Sequence, residues 1–259
     1  MGAKEEAMDL GAGVAGRIAL VTGGGSGIGL AIATRLAEHG AKVWIAGRRL
    51  EVLKEAAAAI AQDVRTAQLD VRDATNCSSL IDRIADEDGI VDILVNNAGN
   101  YIKAPLAQTT DADFDDIQRT HVDGAFALTR ACAGPMAEKG RGRVVFIASM
   151  TALFGLPDVV AYSAAKAAIV GLTRSLAAEL GPVGINVNAV APGWIESDYM
   201  LRTLDANPER KRKILSRTPL GRFGHPKDIG NAVTFLCSDH ASFITGVVLP
   251  VDGGASIGF

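Results

Sequence analysis

Short aliphatic or β-branched runs alternate along this chain with longer stretches in which apolar residues recur every three or four positions. The first pattern suits a strand buried on both faces, the second an amphipathic helix. Residues 17–22 read as a strand, and 28–39 as a helix closed by Gly40. The alternation continues as strand 42–46, helix 51–61, strand 65–69, helix 77–86 and strand 90–96. A longer helical stretch, 114–138, leads into strand 143–148, helix 160–180 and strand 185–190. The last third changes character: 192–219 is polar and turn-rich with a weak helix, 226–237 is a clear helix, and 247–251 is a final strand. Repeated strand–helix units imply a doubly wound α/β fold with a parallel sheet and helices on both faces. No linker interrupts the pattern, so residues 16–259 are expected to form one domain, preceded by a disordered Gly/Ala-rich tail, 1–15.

Composition narrows this further. Hydrophobic residues are 48% of the chain but aromatics only 5%, with 29 glycines, which favours aliphatic parallel strands under Ala/Gly-rich helices over an aromatic β-sandwich. The formal net charge of -3 leaves no basic field to recruit nucleic acid or an anionic membrane, so a small molecule is the expected partner. Cys77, Cys132 and Cys237 are odd in number, far apart and set in apolar patterns, which suggests buried thiols and neither a disulfide framework nor a metal site. Lys4, Glu5, Glu6 and Asp9 stand where a signal peptide would need its apolar run, and no 18 consecutive residues are apolar. A soluble, reducing, cytoplasmic setting is expected.

The first specific chemistry lies between the first strand and the first helix, in Thr22-Gly23-Gly24-Gly25-Ser26-Gly27-Ile28-Gly29. There the free N–H groups and the helix dipole favour a pyrophosphate, and glycines let the backbone approach it. Gly23, Gly27 and Gly29 give T-G-x-x-x-G-x-G, a variant of the usual dinucleotide spacing G-x-G-x-x-G. At the end of the second strand, where an acidic residue would bind the adenosine ribose, the sequence is Ala46-Gly47-Arg48-Arg49. No carboxylate repels a 2′-phosphate there and Arg48 offers it a planar fork, so NADP is preferred and NAD is the second choice. The competing view is that Arg48 and Arg49 merely open a solvated helix.

Tyr162-Ser163-Ala164-Ala165-Lys166 places a phenol and an ammonium on one helix face. A tyrosine titrates near 10, so acid/base work near neutrality needs a shift of about 3 units, which Lys166 and an oxidised nicotinamide would supply. Ser149 falls at the C-terminal end of a strand, the edge of an α/β sheet where ligands bind, and can polarise a carbonyl oxygen. It lacks the G-x-S-x-G elbow of a nucleophile. Alone, Tyr162 and Lys166 would read as a snorkelling pair without chemistry.

Taken together, T-G-x-x-x-G-x-G at 22–29, Asn96-Asn97-Ala98-Gly99, Ser149 thirteen residues before Tyr162, Y-x-x-x-K, Pro192-Gly193 and the closing G-V-V-L-P-V-D-G-G resemble the classical short-chain dehydrogenase/reductase family over nearly the whole chain. Members acting as 3-oxoacyl-acyl-carrier-protein reductases or gluconate 5-dehydrogenases are the nearest in kind. The resemblance implies a seven-stranded Rossmann-type sheet, a homotetramer and a substrate lid at about 193–219. It also implies that Gly23, Ser26 and Ile28 line the pyrophosphate and nicotinamide, Asp70 and Val71 the adenine, and Asn97 the adenosine ribose side. Tyr162 would be the acid/base, Lys166 would hold the nicotinamide ribose, and Ile195 and Ser197 would meet the carboxamide. The cofactor supplies the hydride and the protein supplies orientation and electrostatics.

One departure stands out: Thr120-His121-Val122-Asp123-Gly124 places His121 where the family has an Asn that supports a water near the lysine. A titratable group there is expected to alter the pH dependence of turnover; a packed histidine satisfied within its helix is the bland alternative. It also motivates a rival reading, a catalytically weak redox sensor that binds NADP(H) without turnover. The run Arg210-Lys211-Arg212-Lys213 reads as a solvated helix face, with contact to an anionic substrate or acyl carrier as the sharper alternative.

Overall fold

The computed structural model describes residues 10–60 and 62–258. Among them, β1 (Ile18–Thr22), β2 (Lys42–Gly47), β3 (Val64–Gln68), β4 (Ile93–Asn96), β5 (Gly142–Ile147), β6 (Ile185–Pro192) and β7 (Val248–Val251) form one parallel sheet in the order β3-β2-β1-β4-β5-β6-β7. The helices are α1 (Gly27–Glu38), α2 (Leu50–Ala59), α3 (Ala74–Glu87), α4 (Asp111–Gln118), α5 (Gly124–Glu138), α6 (Val160–Leu180), α7 (Asp198–Asp205), α8 (Pro208–Ser216) and α9 (Pro226–Cys237).

The doubly wound form follows from the strand sequences. Successive strand residues point to opposite faces, and in β1 and β5 every residue is buried. Leu20, Leu94, Val144, Phe146 and Val187 pack against Ile81 of α3, Leu128 of α5 and Ile169 of α6. Val21, Ile45, Val95 and Val145 pack on the other face against Ile32 and Leu36 of α1, Leu53 of α2 and Val233 of α9. Helices α1 and α9 meet closely because α9 presents Gly230, where a Cβ would stand 2.8 Å from the carbonyl oxygen of Ala31. All three cysteines are free and buried. Burial pushes the Cys77 thiol up to about 11 and those of Cys132 and Cys237 up to about 12, so none is a poised nucleophile.

Several boundaries differ from the sequence pattern for local reasons. Strand β4 begins at Ile93, because Asp92 turns its carboxylate to the Ile18 N–H (3.1 Å). Helix α3 begins earlier than the apolar spacing indicates, because Asp73 caps it, accepting from the N–H groups of Thr75 (3.0 Å) and Asn76 (3.1 Å). The helical stretch expected over 114–138 is helical throughout, but it starts at Asp111 and is built of α4, a π-helical turn over Arg119–Asp123, and α5. In 192–219 two helices replace one weak helix: Asn207 caps α8 through Arg210 N–H (3.0 Å) and Pro208 opens it. Leu204, Ile214 and Phe223 form a small separate core there with Trp194 and Met200.

Of the expected tail, residues 1–9 lie outside the described residues, whereas 10–15 are packed. Val14 is fully buried, and the Ala12 carbonyl accepts from Asp239 N–H (2.8 Å). Ala61 and Phe259, at the ends of the expected helix 51–61 and domain 16–259, also lie outside. No helix among the described residues is long and apolar enough to cross a membrane. Strand β1 lies between β2 and β4, so the chain winds outward from it in both directions and a crevice opens at the C-terminal ends of these strands.

Candidate active site

The crevice is built first by a buried threonine. Thr22, at the end of β1, accepts through Oγ1 from the N–H groups of Asn97 and Ala98 (both 3.0 Å) and donates to the Val95 carbonyl (3.3 Å). Asn97 Nδ2 donates in return to the carbonyls of Thr22 (2.8 Å) and Gly23 (3.3 Å). The loops after β1 and β4 are thus fastened to each other, and the Asn97 amide braces the glycine turn.

Within that turn Gly23 (φ 65°) and Gly27 (φ 53°) take left-handed backbone conformations. A Cβ on Gly29 would lie 2.2 Å from the Gly23 carbonyl oxygen. Ser26 caps α1 in extended backbone, yet its hydroxyl makes no capping bond. The first N–H groups of α1 and the Ser26 hydroxyl therefore remain for an anionic ligand, at the end of the helix whose dipole favours one.

A cleft of about 420 Å³ opens over this turn, the size of a small-molecule site. It brings together all eleven residues marked from sequence for the cofactor outside the catalytic set: Gly23, Ser26, Gly27, Ile28, Gly29, Arg48, Asp70, Val71, Asn97, Ile195 and Ser197. Arg48 and Arg49 both line it and are exposed, and Arg48 joins no ion pair among the described residues. These residues fit a dinucleotide: a cradle that a Cβ would fill, free helix N–H groups and a cationic fork at one end. Asp70 is differently engaged than its expected adenine role alone implies. Arg72 holds its carboxylate (Nη2 to Oδ2 2.6 Å) and lowers its pKa, chiefly through that hydrogen bond.

The reacting groups flank the cleft. Ser149 follows β5, and its Oγ accepts from Thr151 N–H (3.1 Å), which leaves the hydroxyl proton to donate. Tyr162 and Lys166 share one face of α6, with Nζ 5.4 Å from the phenol ring centroid. Lys166 is buried and donates to the Ile147 carbonyl at 2.5 Å. Burial pulls the ammonium down to about 7. The phenol is pushed up to about 12, because burial outweighs the opposing Ser149 hydrogen bond and Tyr101 adds to the rise. Lys166 is not among the groups that set this rise, so the lowering expected from Lys166 together with an oxidised nicotinamide would have to work against burial.

His121 sits in the π turn, buried, with its ring edge-on to Tyr162 (centroids 5.4 Å, 85°). Its Nε2 meets the Asn100 carbonyl at 2.8 Å, and its Nδ1 is buried without a partner. Burial first, then Lys166, pull its pKa down to about 3, which favours a neutral imidazole near physiological pH. The ring is packed but only half satisfied. Together with Lys166 and Thr22 it lines a small internal space beside the cleft. π turns recur at functional sites, and no spacing rule announces one. Sequence reading also passed over Arg72, Asn100, Tyr101 and Asp116, and took Arg49 only as the opening of a solvated helix; of the four, Asn100, directly after the Asn96–Gly99 motif, carried the only usable signal.

Comparisons with known proteins agree with this geometry. The family model described as Enoyl-(Acyl carrier protein) reductase matches residues 23–256. The chain is 40% identical over 239 residues to 3-oxoacyl-[acyl-carrier-protein] reductase of Escherichia coli K12, covering 92% of this chain and 97% of that one. It is 37% identical over 247 residues to gluconate 5-dehydrogenase of Gluconobacter oxydans 621H, covering 94% and 96%. A solved structure described as a 2-deoxy-D-gluconate 3-dehydrogenase of Agrobacterium tumefaciens with bound NADP superposes with a TM-score of 0.83 at 39% identity, covering 93% and 96%. A Rossmann-type sheet, a glycine turn under a dinucleotide-sized cleft and relatives of this closeness together place the chain in the classical short-chain dehydrogenase/reductase family, as an NAD(P)-dependent oxidoreductase.

Proposed function

We propose that this enzyme interconverts a secondary alcohol and a ketone, with NADP(H) preferred over NAD(H), Tyr162 as general acid/base, and Ser149 polarising the substrate oxygen. The observation that carries the reading is the convergence of Ser149, Tyr162 and Lys166 at the C-terminal end of β5, beside a cleft that gathers the eleven other expected cofactor residues. When bound, the nicotinamide supplies or accepts the hydride.

The chain's own residues manage the proton and the charge. In reduction, Ser149 and Tyr162 donate hydrogen bonds to the carbonyl oxygen, and the gain grows as that oxygen becomes an alkoxide. A phenol held near 12 keeps its proton until the alkoxide forms, which suits the acid of a reduction. In oxidation the phenol must first lose that proton, and Lys166 assists only in its charged form. Lys166 would also hold the nicotinamide ribose, its Nζ fixed under the ring by the Ile147 carbonyl. Gly23, Ser26, Gly27, Ile28 and Gly29 would cradle the pyrophosphate, Asp70 and Val71 the adenine, Asn97 the adenosine ribose side through its braced loop, and Ile195 and Ser197 the carboxamide. Arg48 would take the 2′-phosphate.

Residues 193–219, with the separate core of α7 and α8, would form the substrate lid. The family resemblance implies a homotetramer, and the polar start of the chain supports a cytoplasmic setting; half-exposed Phe114 and Phe126 are apolar surface such an assembly would cover, and light scattering reads its mass.

Fluorescence titration with NADPH and NADH side by side tests the cofactor reading. NADPH is expected to bind more tightly, and Arg48→Ala to weaken NADPH about tenfold while leaving NADH nearly unchanged. Equal losses for both cofactors would remove the preference. A 340 nm screen over 3-oxoacyl thioesters, sugar acids and cyclic ketones then finds the substrate class. Binding without turnover on any of them would favour the redox sensor, the reading to which His121 lends weight.

A further inference from the structure

The catalytic phenol is gripped by two rings, and both grips originate in one short segment. Tyr101 packs its ring edge-on against Tyr162 (centroids 5.2 Å, 78°), and so does His121 (5.4 Å, 85°). Tyr101 belongs to the loop after β4, and the residue before it, Asn100, holds the His121 ring. The Asn100 carbonyl lies 2.8 Å from His121 Nε2 and the Asn100 N–H 3.2 Å from the same atom. The position of residues 100–101 therefore sets where both neighbours of the reacting ring stand.

What fixes that segment is a carboxylate on α4. Asn100 Nδ2 donates to Asp116 Oδ2 at 2.6 Å, while Asn100 Oδ1 is buried with no partner, so its side chain is held from the amide nitrogen. The other oxygen of Asp116 accepts from Arg72 Nη1 at 2.7 Å. Arg72 in turn clasps Asp70 through Nε and Nη2, at the adenosine-side wall of the cleft. A continuous strut of charge-assisted hydrogen bonds runs from Asp70 through Arg72 and Asp116 to Asn100, and from there to the two rings that flank Tyr162.

We infer that Asp116 is a positioning residue for the reacting centre: it ties the adenosine-side wall of the cleft to the 100–101 segment and so fixes the angle of the Tyr162 phenol. The inference rests on the reading of Tyr162 as acid/base, but the strut is open to measurement without turnover. Asp116 does not line the cleft and acts through Asn100 and Arg72.

The test uses the full-length protein with its histidines selectively labelled with nitrogen-15, together with steady-state kinetics on the best ketone found. In the wild type the His121 imidazole is expected as a single tautomer with the proton on Nε2, donated to the Asn100 carbonyl. Asp116→Ala is expected to release Asn100, shift or average that tautomer signal, and lower kcat about tenfold with the KM for NADPH within about threefold, as misplacement of a catalytic group does. Asp116→Asn, which can still accept from Asn100, should keep the signal and recover most of kcat. Asn100→Ala cuts the same joint from its other side and reads the inference if Asp116→Ala fails to fold. An unchanged His121 signal in the cut variants overturns the strut, whatever the kinetics. Loss of kcat matched by an equal rise in the NADPH KM, with no rescue by Asn, marks a general structural defect and also overturns it. If wild type and Tyr162→Phe turn over alike, the acid/base reading fails, while the tautomer signal still decides the strut.

Discussion

At the N-terminal end of β4, Asp92 is 3% exposed, and its carboxylate accepts from Lys139 Nζ (2.6 Å), Arg141 Nε (3.2 Å) and the Ile18 N–H (3.1 Å). Near the C-terminal end of the neighbouring strand β5, Lys166 is buried to the same degree, 4%, and meets one backbone carbonyl and no carboxylate among the described residues. Beside it, His121 Nδ1 and Asn96 Oδ1 are buried without partners. The Asp92 charge is closed by countercharges and serves stability, although Arg143 at that end of the sheet keeps its Nε buried without a partner; around Lys166, at the other end, a charge and two polar atoms are left open together. Such a deficit is costly unless something completes it. The same edge holds the glycine cradle, so a bound dinucleotide is the natural completion.

This contrast can be broken at either end. The largest effect belongs to Lys166. Its pKa is about 7 when folded against 10.5 in the open chain. As pH falls from about 10.5 toward 7, the unfolded chain binds a proton that the folded one refuses, so stability declines, by up to about 1.4 kcal/mol per pH unit. Lys166→Met should remove that slope in urea unfolding followed from pH 10 to pH 7, and so gain on the wild type as pH drops. Parallel curves would mean that Lys166 keeps its charge in the fold.

Asp92→Ala comes next. Lys139 and Arg141 are partly exposed and can rehydrate, so the cost is held to about 2–3 kcal/mol, much of it from the stranded Ile18 N–H. Urea unfolding should show this loss at pH 7.5, while turnover of the folded variant stays unchanged because the site lies at the opposite edge. A variant as stable as wild type would mean that Asp92 is not the closure described.

The smallest effect is at His121, which protonates at about 3 when folded against 6.5 when free. The folded state loses stability as pH falls below about 6.5, again because only the unfolded chain takes the proton, by about 2 kcal/mol at pH 5. His121→Asn should lessen the acid sensitivity of thermal unfolding between pH 6.5 and pH 5. The kcat profile above pH 6 should owe nothing to this imidazole; a kinetic step near 6.5 that vanishes in His121→Asn would show that it titrates in the working enzyme.

The frame of this enzyme was legible because its signals are local and repeated. Short apolar runs such as Ala19–Val21 and Val144–Phe146, set between helical stretches, read as parallel strands buried on both faces, and the glycine spacing at 23, 27 and 29 has a backbone cause. The eleven cofactor residues marked outside the catalytic set line the cleft for the same reason, since each lies in the turn after a strand or in the first turn of the helix that follows. What escaped depends on through-space partners. Nothing near Asp116 in sequence shows that it will meet Arg72 and Asn100, and no pattern over 114–138 shows a π turn that swings His121 toward Tyr162. The burial of Tyr162 and Lys166, which raises the one pKa and lowers the other, was not legible either, because it is a property of packing.

The central claim is that Tyr162 moves the proton while the rest of the site holds cofactor and substrate. Its most direct test is single-turnover reduction at 340 nm by wild type and Tyr162→Phe, each pre-loaded with NADPH and mixed with the substrate found in the screen. The account predicts NADPH affinity within about twofold and a hydride-transfer rate at least about 100-fold lower in the variant. Equal rates in the two proteins would contradict it and move the acid/base role elsewhere in the cleft.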